Sequence, residues 1–170
     1  GEMSVRQAFA SSKNTVAAQI GNEIGFGAVA SMARRLGITT PVNVQPSMVL
    51  GSSETRLIEM TRAFAIVGNH GRDVKPYGIV KIATVDGKVL YHKQESAGEP
   101  LLDDNVTSGM LDLLVAAVNS GTGGAAQIGR PVAGKTGTTN SNKDGLFFGI
   151  SSGLTTGVWF GRDDAKPIEE

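Results

Sequence analysis

An antiparallel sheet packed against helices, in a single α+β domain, is the fold class that the sequence predicts. Helical spacing of apolar residues dominates positions 1–125, whereas short β segments dominate positions 126–165. Helices that precede a run of strands are typical of the α+β class. The chain has 170 residues, of which 40% are hydrophobic. This is enough for one buried core, so we expect one domain.

The composition excludes several classes of function. Sixteen Lys and Arg residues balance sixteen Asp and Glu residues, so we expect no nucleic-acid partner and no electrostatic membrane surface. The absence of cysteine excludes disulfides, thiol nucleophiles and Cys-ligated zinc. His70 and His92 are the two histidines, which argues against a multi-histidine metal centre. We therefore expect no such metal site, and we also predict that the protein uses no cofactor.

The first helix begins at a capping box. Ser4 and Gln7 form a Ser-x-x-Gln pattern, in which both side chains can bond free backbone amides at a helix N-terminus. The polar cluster at 11–14 follows, and its short side chains compete with the helix for backbone hydrogen bonds. A second apolar run comes next, at 16–20. This order predicts a helix, a kink and a second helix.

Two further helices precede the middle of the chain. Apolar residues between 29 and 36 recur at helical spacing, and Gly37 stands where a left-handed residue would end the helix. A second apolar stripe predicts a helix over 54–67, with Ser52 or Ser53 as its N-cap. Each helix would turn its apolar face toward the core.

A hairpin and a long helix are predicted next. β-rich runs at 77–85 and 88–91 flank Asp86-Gly87, a dipeptide that tolerates the positive φ angles of a type I′ turn. Apolar residues at helical spacing then follow Asp103-Asp104 and stop before the glycine-rich stretch 120–124. The hairpin therefore interrupts the mainly helical part of the chain.

Three β segments form the C-terminal part of the chain, at 132–138, 145–150 and 155–161. The last two are rich in aromatic and branched residues. The turn Ser151-Ser152-Gly153 joins them. We expect these three segments to form the antiparallel sheet.

The segment 129–136 has two possible interpretations. Residues 129–136 match the phosphate-binding pattern G-x-x-x-x-G-K-[ST]. That loop needs a buried strand before it and a helix that begins at its lysine, because the helix N-terminus holds the phosphates. Residues 121–127 do not form a hydrophobic strand, and residues 137–142 are a poor helix start. We therefore interpret the match as accidental.

The alternative interpretation of this segment places Lys135-Thr136-Gly137 on a strand, as in active-site serine enzymes that react with penicillin. Lysine and threonine supply a cation and a hydroxyl for a substrate carboxylate, and glycine lets a ligand approach the backbone closely. A lysine to carboxylate contact at 4 Å is worth about 1 kcal/mol in water but about 4 kcal/mol at the lower effective dielectric of a protein surface. The motif is therefore expected to border a groove.

Much of the chain resembles the transpeptidase domain of class A (bifunctional) penicillin-binding proteins. The resemblance is strongest over 129–140, which contains Lys135-Thr136-Gly137-Thr138-Thr139-Asn140, and over 157–164. Ser12-Lys13-Asn14 resembles the Ser-x-Asn element of that family. Three further segments are similar to the connecting core of the family: 45–51, 59–65 and 75–77. The resemblance implies a partial penicillin-binding transpeptidase fold, similar to that of serine β-lactamases.

The family carries its nucleophile in a Ser-x-x-Lys element, and no serine of this chain is followed three places on by lysine. The nearest imitation pairs Ser31 with Arg34, and arginine stays protonated and cannot act as the base. We therefore interpret the 170 residues as the C-terminal portion of one incomplete transpeptidase domain. The upstream half of that domain becomes an expected partner, and the isolated chain is expected to be inactive.

The resemblance implies acyl transfer from a peptidoglycan stem peptide. In the family, a serine attacks the D-alanyl-D-alanine carbonyl, releases D-alanine and passes the acyl group to an amine of another strand. Ser12 would relay a proton between the lysine of the nucleophile and the leaving amine. Asn14 would bind the substrate amide. Lys135 would hold Ser12 and the terminal carboxylate.

The rest of the implied site lies on the strand that follows Lys135. The hydroxyls of Thr136 and Thr138 would complete the carboxylate site, and the Thr138 backbone amide would be one oxyanion donor. The stem peptide, or the β-lactam that mimics it, would align along the strand beside Gly137 as an added β-strand.

Other functions remain open on the sequence alone. A D,D-carboxypeptidase or β-lactamase-like hydrolase would share the fold, and a binding module could keep the carboxylate site without a nucleophile. The resemblance also implies a place at the bacterial extracytoplasmic face, in a parent anchored through a segment outside this chain. No apolar run reaches the ~20 residues that a membrane helix needs.

Overall fold

In the computed structural model, which describes residues 2–168, the α-helices lie within the first 120 residues and an antiparallel sheet follows them. The helices are α1 (Val5–Ala10), α2 (Asn14–Ile24), α3 (Phe26–Arg35), α4 (Leu57–Gly68) and α5 (Asp104–Ser120). The strands are β1 (Lys81–Ala83), β2 (Val89–His92), β3 (Ala133–Thr138), β4 (Asp144–Ser151) and β5 (Leu154–Gly161). The predicted α+β class is confirmed. No helix in the described part of the chain is long and apolar enough to cross a bilayer.

The C-terminal sheet has the strand order β3-β4-β5. β3 and β4 pair from Ala133 opposite Ile150 to Thr138 opposite Gly145. The β4–β5 turn consists of Ser152 and Gly153, whose φ angles of 49° and 79° are both positive, as a type I′ turn requires. Within residues 2–168, β3 is therefore an edge strand with one unpaired side.

The core lies between this sheet and helices α1, α4 and α5. The Phe148 ring of β4 stacks on the Phe64 ring of α4, with 4.8 Å between ring centroids. Leu114 of α5 is 1% exposed and belongs to the central cluster with Val67 and Ala133. Partly buried apolar residues surround that cluster: Phe9, Phe64, Leu102, Met110, Leu111, Val115 and Ile150. The core thus fixes the inner face of β3 and β4 against the helices.

Local sequence signals set the ends of the first and third helices. The Ser4 hydroxyl accepts a hydrogen bond from the Gln7 amide, and the Gln7 side chain accepts one from the Ser4 amide, so the predicted capping box is present. Gly37 has a φ of 97°. The amides of Gly37 and Ile38 bond carbonyls in the last turn of α3, which is the Schellman arrangement. Helix α3 begins at Phe26, three residues earlier than the predicted run.

The predicted N-cap of α4 is wrong. The helix begins at Leu57, and Arg56 stands at the cap position without a side-chain hydrogen bond to the helix. The Ser53 hydroxyl instead accepts a hydrogen bond from the Asn43 amide at 3.0 Å. The Ser52 hydroxyl bonds that of Ser47. Both serines therefore order the loop before the helix and do not cap it.

The turn of the β1–β2 hairpin also differs from the prediction. Gly87 has a φ of 90°, whereas Asp86 does not have a positive φ, so the turn is not type I′. The Gly87 amide bonds the Thr84 carbonyl, and the Thr84 amide bonds the Lys88 carbonyl, both at 2.9 Å. The register shifts between Ile82 and Ala83. The turn is therefore longer than two residues, and the paired strands are shorter than predicted.

Candidate active site

Ser12 lies at the break between α1 and α2. Its φ of 53° is left-handed, and its amide bonds the Phe9 carbonyl at 3.0 Å. The Lys13 amide bonds the Ala8 carbonyl at 2.9 Å, which closes the last turn of α1. Residues two apart on one continuous helix point about 200° away from each other. The break therefore frees Ser12 from the helical pattern, as the predicted kink requires.

Lys135 lies in the middle of β3 and reaches the break. Its Nζ donates a hydrogen bond to Ser12 Oγ at 3.0 Å and a second one to the Thr136 carbonyl at 3.1 Å. The same Nζ lies 5.8 Å from the centroid of the Phe9 ring of α1. The structure thus brings together two of the predicted site residues that are 123 positions apart.

The Lys135 side chain is partly buried. Burial lowers the pKa of its ammonium below the ordinary value of 10.5, because removal from water disfavours the charged form. Neither hydrogen-bond acceptor of Lys135 is a carboxylate. An incoming carboxylate would therefore meet a partly desolvated cation without having to displace a negative side chain.

The other predicted residues of β3 follow Lys135 along the edge strand. The Thr136 hydroxyl lies 2.7 Å from the Thr122 hydroxyl. A Cβ at Gly137 would lie 3.3 Å from Leu146 Cβ on the neighbouring strand, so glycine there also suits the packing of the sheet. Thr138 is the exposed last residue of β3. Its amide therefore stands at the point where the sheet opens into a loop.

Asp144 closes that loop. Its backbone carbonyl accepts a hydrogen bond from the Thr139 amide, and its Oδ2 accepts one from the Thr139 hydroxyl at 3.0 Å. Its own amide donates to the Thr139 hydroxyl at 2.9 Å. Its Oδ1 accepts a hydrogen bond from Trp159 Nε1 at 2.7 Å. One carboxylate thus ties the residue after Thr138 to both other strands of the sheet.

Asn14 is the first residue of α2 and is exposed. Within residues 2–168 its side chain makes no hydrogen bond, so its amide group stays available to a ligand. The structure therefore places Asn14 two residues beyond Ser12, and no hydrogen bond joins its side chain to β3 within residues 2–168.

The phosphate-loop alternative does not fit this geometry. Lys135 lies inside a strand that continues to Thr138, and the short 3₁₀ turn Asn140–Asn142 follows it. A phosphate loop needs a helix that begins at the lysine. The interpretation of the pattern at 129–136 as accidental is therefore confirmed.

Two residues of the site were missed by the sequence analysis. Thr122 lies in the glycine-rich stretch that predicted the end of a helix. It contacts Thr136, which is 14 positions away, and no periodic pattern in the sequence links the two residues. Asp144 comes just before an aromatic run that predicted a strand. The signal for Asp144 was its place at a strand end, next to a strand that carries a tryptophan. The indole N–H of a tryptophan usually needs a hydrogen-bond acceptor, and an aspartate can supply one.

Known protein families and curated proteins include relatives of this chain. The penicillin-binding protein transpeptidase domain family matches residues 1–151. Penicillin-binding protein 1A of Rickettsia typhi is 32% identical over 99% of this chain and 24% of its own length. Penicillin-binding protein 1A of Aquifex aeolicus is 35% identical over 99% of this chain and 23% of its own length. The chain thus spans about a quarter of the length of these curated relatives.

Solved structures show the same fold. Penicillin-binding protein 1A of Haemophilus influenzae superposes with a TM-score of 0.87 at 24% identity, over 96% of this chain and 30% of that one. PonA1 of Mycobacterium tuberculosis, in complex with penicillin V, gives a TM-score of 0.85 at 25% identity, over 99% of this chain and 50% of that one. The resemblance found in the sequence is confirmed, and the chain belongs to the penicillin-binding protein transpeptidase domain family.

Proposed function

We propose that this chain is the C-terminal portion of a serine D,D-transpeptidase that cross-links peptidoglycan stem peptides and is acylated by β-lactams. The observation that carries the proposal is the 3.0 Å hydrogen bond from Lys135 Nζ to Ser12 Oγ. It joins the two elements that the family uses for proton transfer and for carboxylate recognition. PonA1, which is 25% identical to this chain, has been solved with penicillin V, and this supports β-lactams as ligands.

The terminal carboxylate of D-alanyl-D-alanine binds beside Lys135. The ammonium supplies the charge, and the hydroxyls of Thr136 and Thr138 donate hydrogen bonds to the carboxylate oxygens. The stem peptide runs along the unpaired edge of β3, past Gly137, as an additional strand. The lowered pKa of Lys135 reflects a desolvated site, in which such a contact is stronger than in water.

Ser12 moves a proton during acylation. Because its oxygen accepts a hydrogen bond from Lys135, its own proton remains available for donation. The nucleophilic serine of the upstream element loses its proton to the neighbouring lysine and forms an ester with the acyl carbon. The peptide C–N bond breaks, and the proton passes through Ser12 to the nitrogen of the leaving D-alanine. The amine of a second stem peptide then attacks the ester carbon. The new amide C–N bond forms, the ester C–O bond breaks, and the proton lost by the amine returns to the oxygen of the nucleophilic serine.

Two groups hold the scissile amide during these steps. The exposed side chain of Asn14, at the start of α2, hydrogen-bonds the substrate amide. The Thr138 amide donates to the developing oxyanion, and the second donor comes from the upstream serine. Removal of one such donor typically lowers turnover about 10²-fold to 10³-fold.

The nucleophile itself lies outside the 170 residues, because no Ser-x-x-Lys element occurs among them. The upstream half of the transpeptidase domain is therefore a necessary partner. In this proposal the parent protein lies at the extracytoplasmic face of a bacterial membrane, where peptidoglycan is the substrate, and it is anchored through a segment outside this chain.

Labelling with fluorescent penicillin tests the proposal. We expect covalent label on the full-length parent protein and none on the isolated chain 1–170. Pre-treatment with unlabelled penicillin should block the label, and the ester should turn over slowly, because a transpeptidase holds the acyl group until an amine acceptor arrives. Label on the isolated chain would contradict the absence of the nucleophile. Rapid release of hydrolysed penicillin would identify a β-lactamase-like hydrolase instead.

A further inference from the structure

Thr122 contacts both halves of the candidate site. Its hydroxyl lies 2.7 Å from that of Thr136 on β3. Its backbone amide donates a hydrogen bond to the Ala10 carbonyl at 3.1 Å, at the last residue of α1. Ala10 comes two positions before Ser12, so a single residue links the Ser12 break to the strand that carries Lys135. The proposed mechanism gives no role to Thr122.

The turn that carries Thr122 is held tightly. A Cβ at Gly121 would lie 2.1 Å from the Ala10 carbonyl oxygen, so the turn packs directly on the end of α1. The Gly123 amide bonds the Ala117 carbonyl at 2.9 Å. Ala117 and its neighbour Val118 are at most 1% exposed. The buried end of α5 thus anchors the backbone of the turn that carries Thr122.

Ligand binding decides which hydroxyl of the pair donates. Without a ligand, either oxygen of the Thr122–Thr136 pair can be the donor. Each hydroxyl has one proton. When Thr136 donates its proton to a carboxylate, the 2.7 Å contact persists as a hydrogen bond only if Thr122 donates to Thr136. Donation to the Thr136 oxygen also polarises its O–H bond and strengthens it as a donor.

We propose that Thr122 is a positioning residue that gives the site its preference for ligands with a free carboxylate. It orients the Thr136 hydroxyl so that the proton of Thr136 points toward the anion, and it holds β3 at a fixed distance from the Ser12 break. This inference rests on the proposed function, because it assigns a role within the same carboxylate site.

The test compares two ligands in the full-length parent protein. Benzylpenicillin carries the carboxylate, and its methyl ester lacks the negative charge. We expect Thr122→Val, which removes the hydroxyl but keeps the shape, to lower the second-order acylation constant for benzylpenicillin about threefold to tenfold, as for a lost hydrogen bond between two neutral groups. The constant for the methyl ester should stay within about twofold of the wild-type value. The ratio of the two constants should therefore fall in Thr122→Val.

Two further variants complete the experiment. Thr122→Ser keeps a hydroxyl and should restore most of the wild-type ratio. Thr156→Val is a matched control, because Thr156 is an exposed threonine of β5, which is separated from β3 by β4; its ratio should equal that of the wild type. The ratio does not depend on the fraction of protein that is folded, so a partly unfolded variant can still be interpreted.

Three outcomes would overturn the inference: equal losses for both ligands in Thr122→Val, no loss for either ligand, or no recovery in Thr122→Ser. Equal losses for both ligands would show that the role of Thr122 is purely structural. A wild-type protein that is not acylated by benzylpenicillin would instead contradict the proposed function, so the two failures are distinguishable.

Discussion

The indole of Trp159 and the carboxylate of Asp144 are joined by a 2.7 Å hydrogen bond between Nε1 and Oδ1. The bond crosses from β5 to the first residue of β4, while the second carboxylate oxygen holds the Thr139 hydroxyl. Asp144 thereby joins β5 to Thr139, the residue that follows the strand of Lys135. The hydrogen bond from Thr139 to this carboxylate holds the start of the loop that follows Thr138.

Replacement of Asp144 by alanine should destabilise the sheet end and slow acylation. Hydrogen bonds to a charged group each contribute about 1.5–3 kcal/mol, and Trp159 is 43% exposed, so we expect a total loss near the lower value. Thermal unfolding of the full-length protein would measure it. Asp163→Ala is the matched control, at an exposed aspartate beyond β5, and should change neither quantity. Equal melting temperatures for Asp144→Ala and the wild type would contradict the role of Asp144.

Replacement of Ser12 by alanine should lower the acylation rate constant for penicillin about 10²-fold to 10⁴-fold, the usual contribution of a group that transfers a proton. Thermal stability should change little, because the Ser12 side chain is exposed. Stopped-flow measurement of acylation checks the rate. Ser11→Ala, at the adjacent exposed serine, serves as control. A loss of similar size in both variants would show that the loop, and not the Ser12 hydroxyl, matters.

The acylation constant for penicillin should fall at alkaline pH. Carboxylate binding needs protonated Lys135, and burial lowers the pKa of that ammonium below 10.5. The second-order constant reports ionisations of the free protein, so the fall should be centred below pH 10.5. Lys135→Arg should move it upward, because arginine stays protonated. A fall at the same pH in both proteins would assign it to another group.

Protein stability should follow the same ionisation with a defined sign. Between the lowered pKa of Lys135 and 10.5, the unfolded chain holds a proton that the folded chain has released. The free energy of unfolding therefore rises with pH across that window. Lys135→Met should flatten this rise in melting temperatures recorded from pH 8 to 10.5. An unchanged slope in the variant would contradict burial as the cause of the shifted pKa.

The Arg62–Asp73 ion pair should stabilise the fold without taking part in catalysis. The guanidinium donates two hydrogen bonds to Asp73 Oδ1, at 2.6 and 3.1 Å, and the two side chains are 22% and 8% exposed. Asp73→Ala leaves a partly buried cation unpaired and should cost about 3 kcal/mol of unfolding free energy. Asp112→Ala breaks the exposed pair with Arg6 and should cost less than about 1 kcal/mol. Equal costs would show that burial does not strengthen the Arg62–Asp73 pair.

The features that the sequence predicted well depend on short stretches of chain. Ser4 and Gln7 cap α1 as expected, and Gly37 ends α3, because both signals act on backbone groups within one helical turn. The turn at Asp86-Gly87 was predicted wrongly, since turn type depends on the register of both flanking strands, and a register shift lies between Ile82 and Ala83. At this turn the pairing of β1 with β2 outweighed the preference of Asp-Gly for a type I′ turn.

The candidate site was predictable to a smaller extent. The polar cluster around Ser12 predicted a kink, and Lys135 was expected on a strand, but their pairing came from the resemblance to a family and not from spacing. Thr122 and Asp144 act through contacts with Thr136, Thr139 and Trp159. Such contacts depend on how strands and helices pack, and no periodic pattern in the sequence reports them.

The 123 positions between Ser12 and Lys135 also determine when the site can form during protein synthesis. At roughly 5–20 residues per second, a ribosome needs about 6–25 s to travel from one residue to the other. Throughout that interval the serine has been synthesised and its lysine has not. A nascent molecule therefore lacks the contact between Lys135 and Ser12 until synthesis has passed position 135.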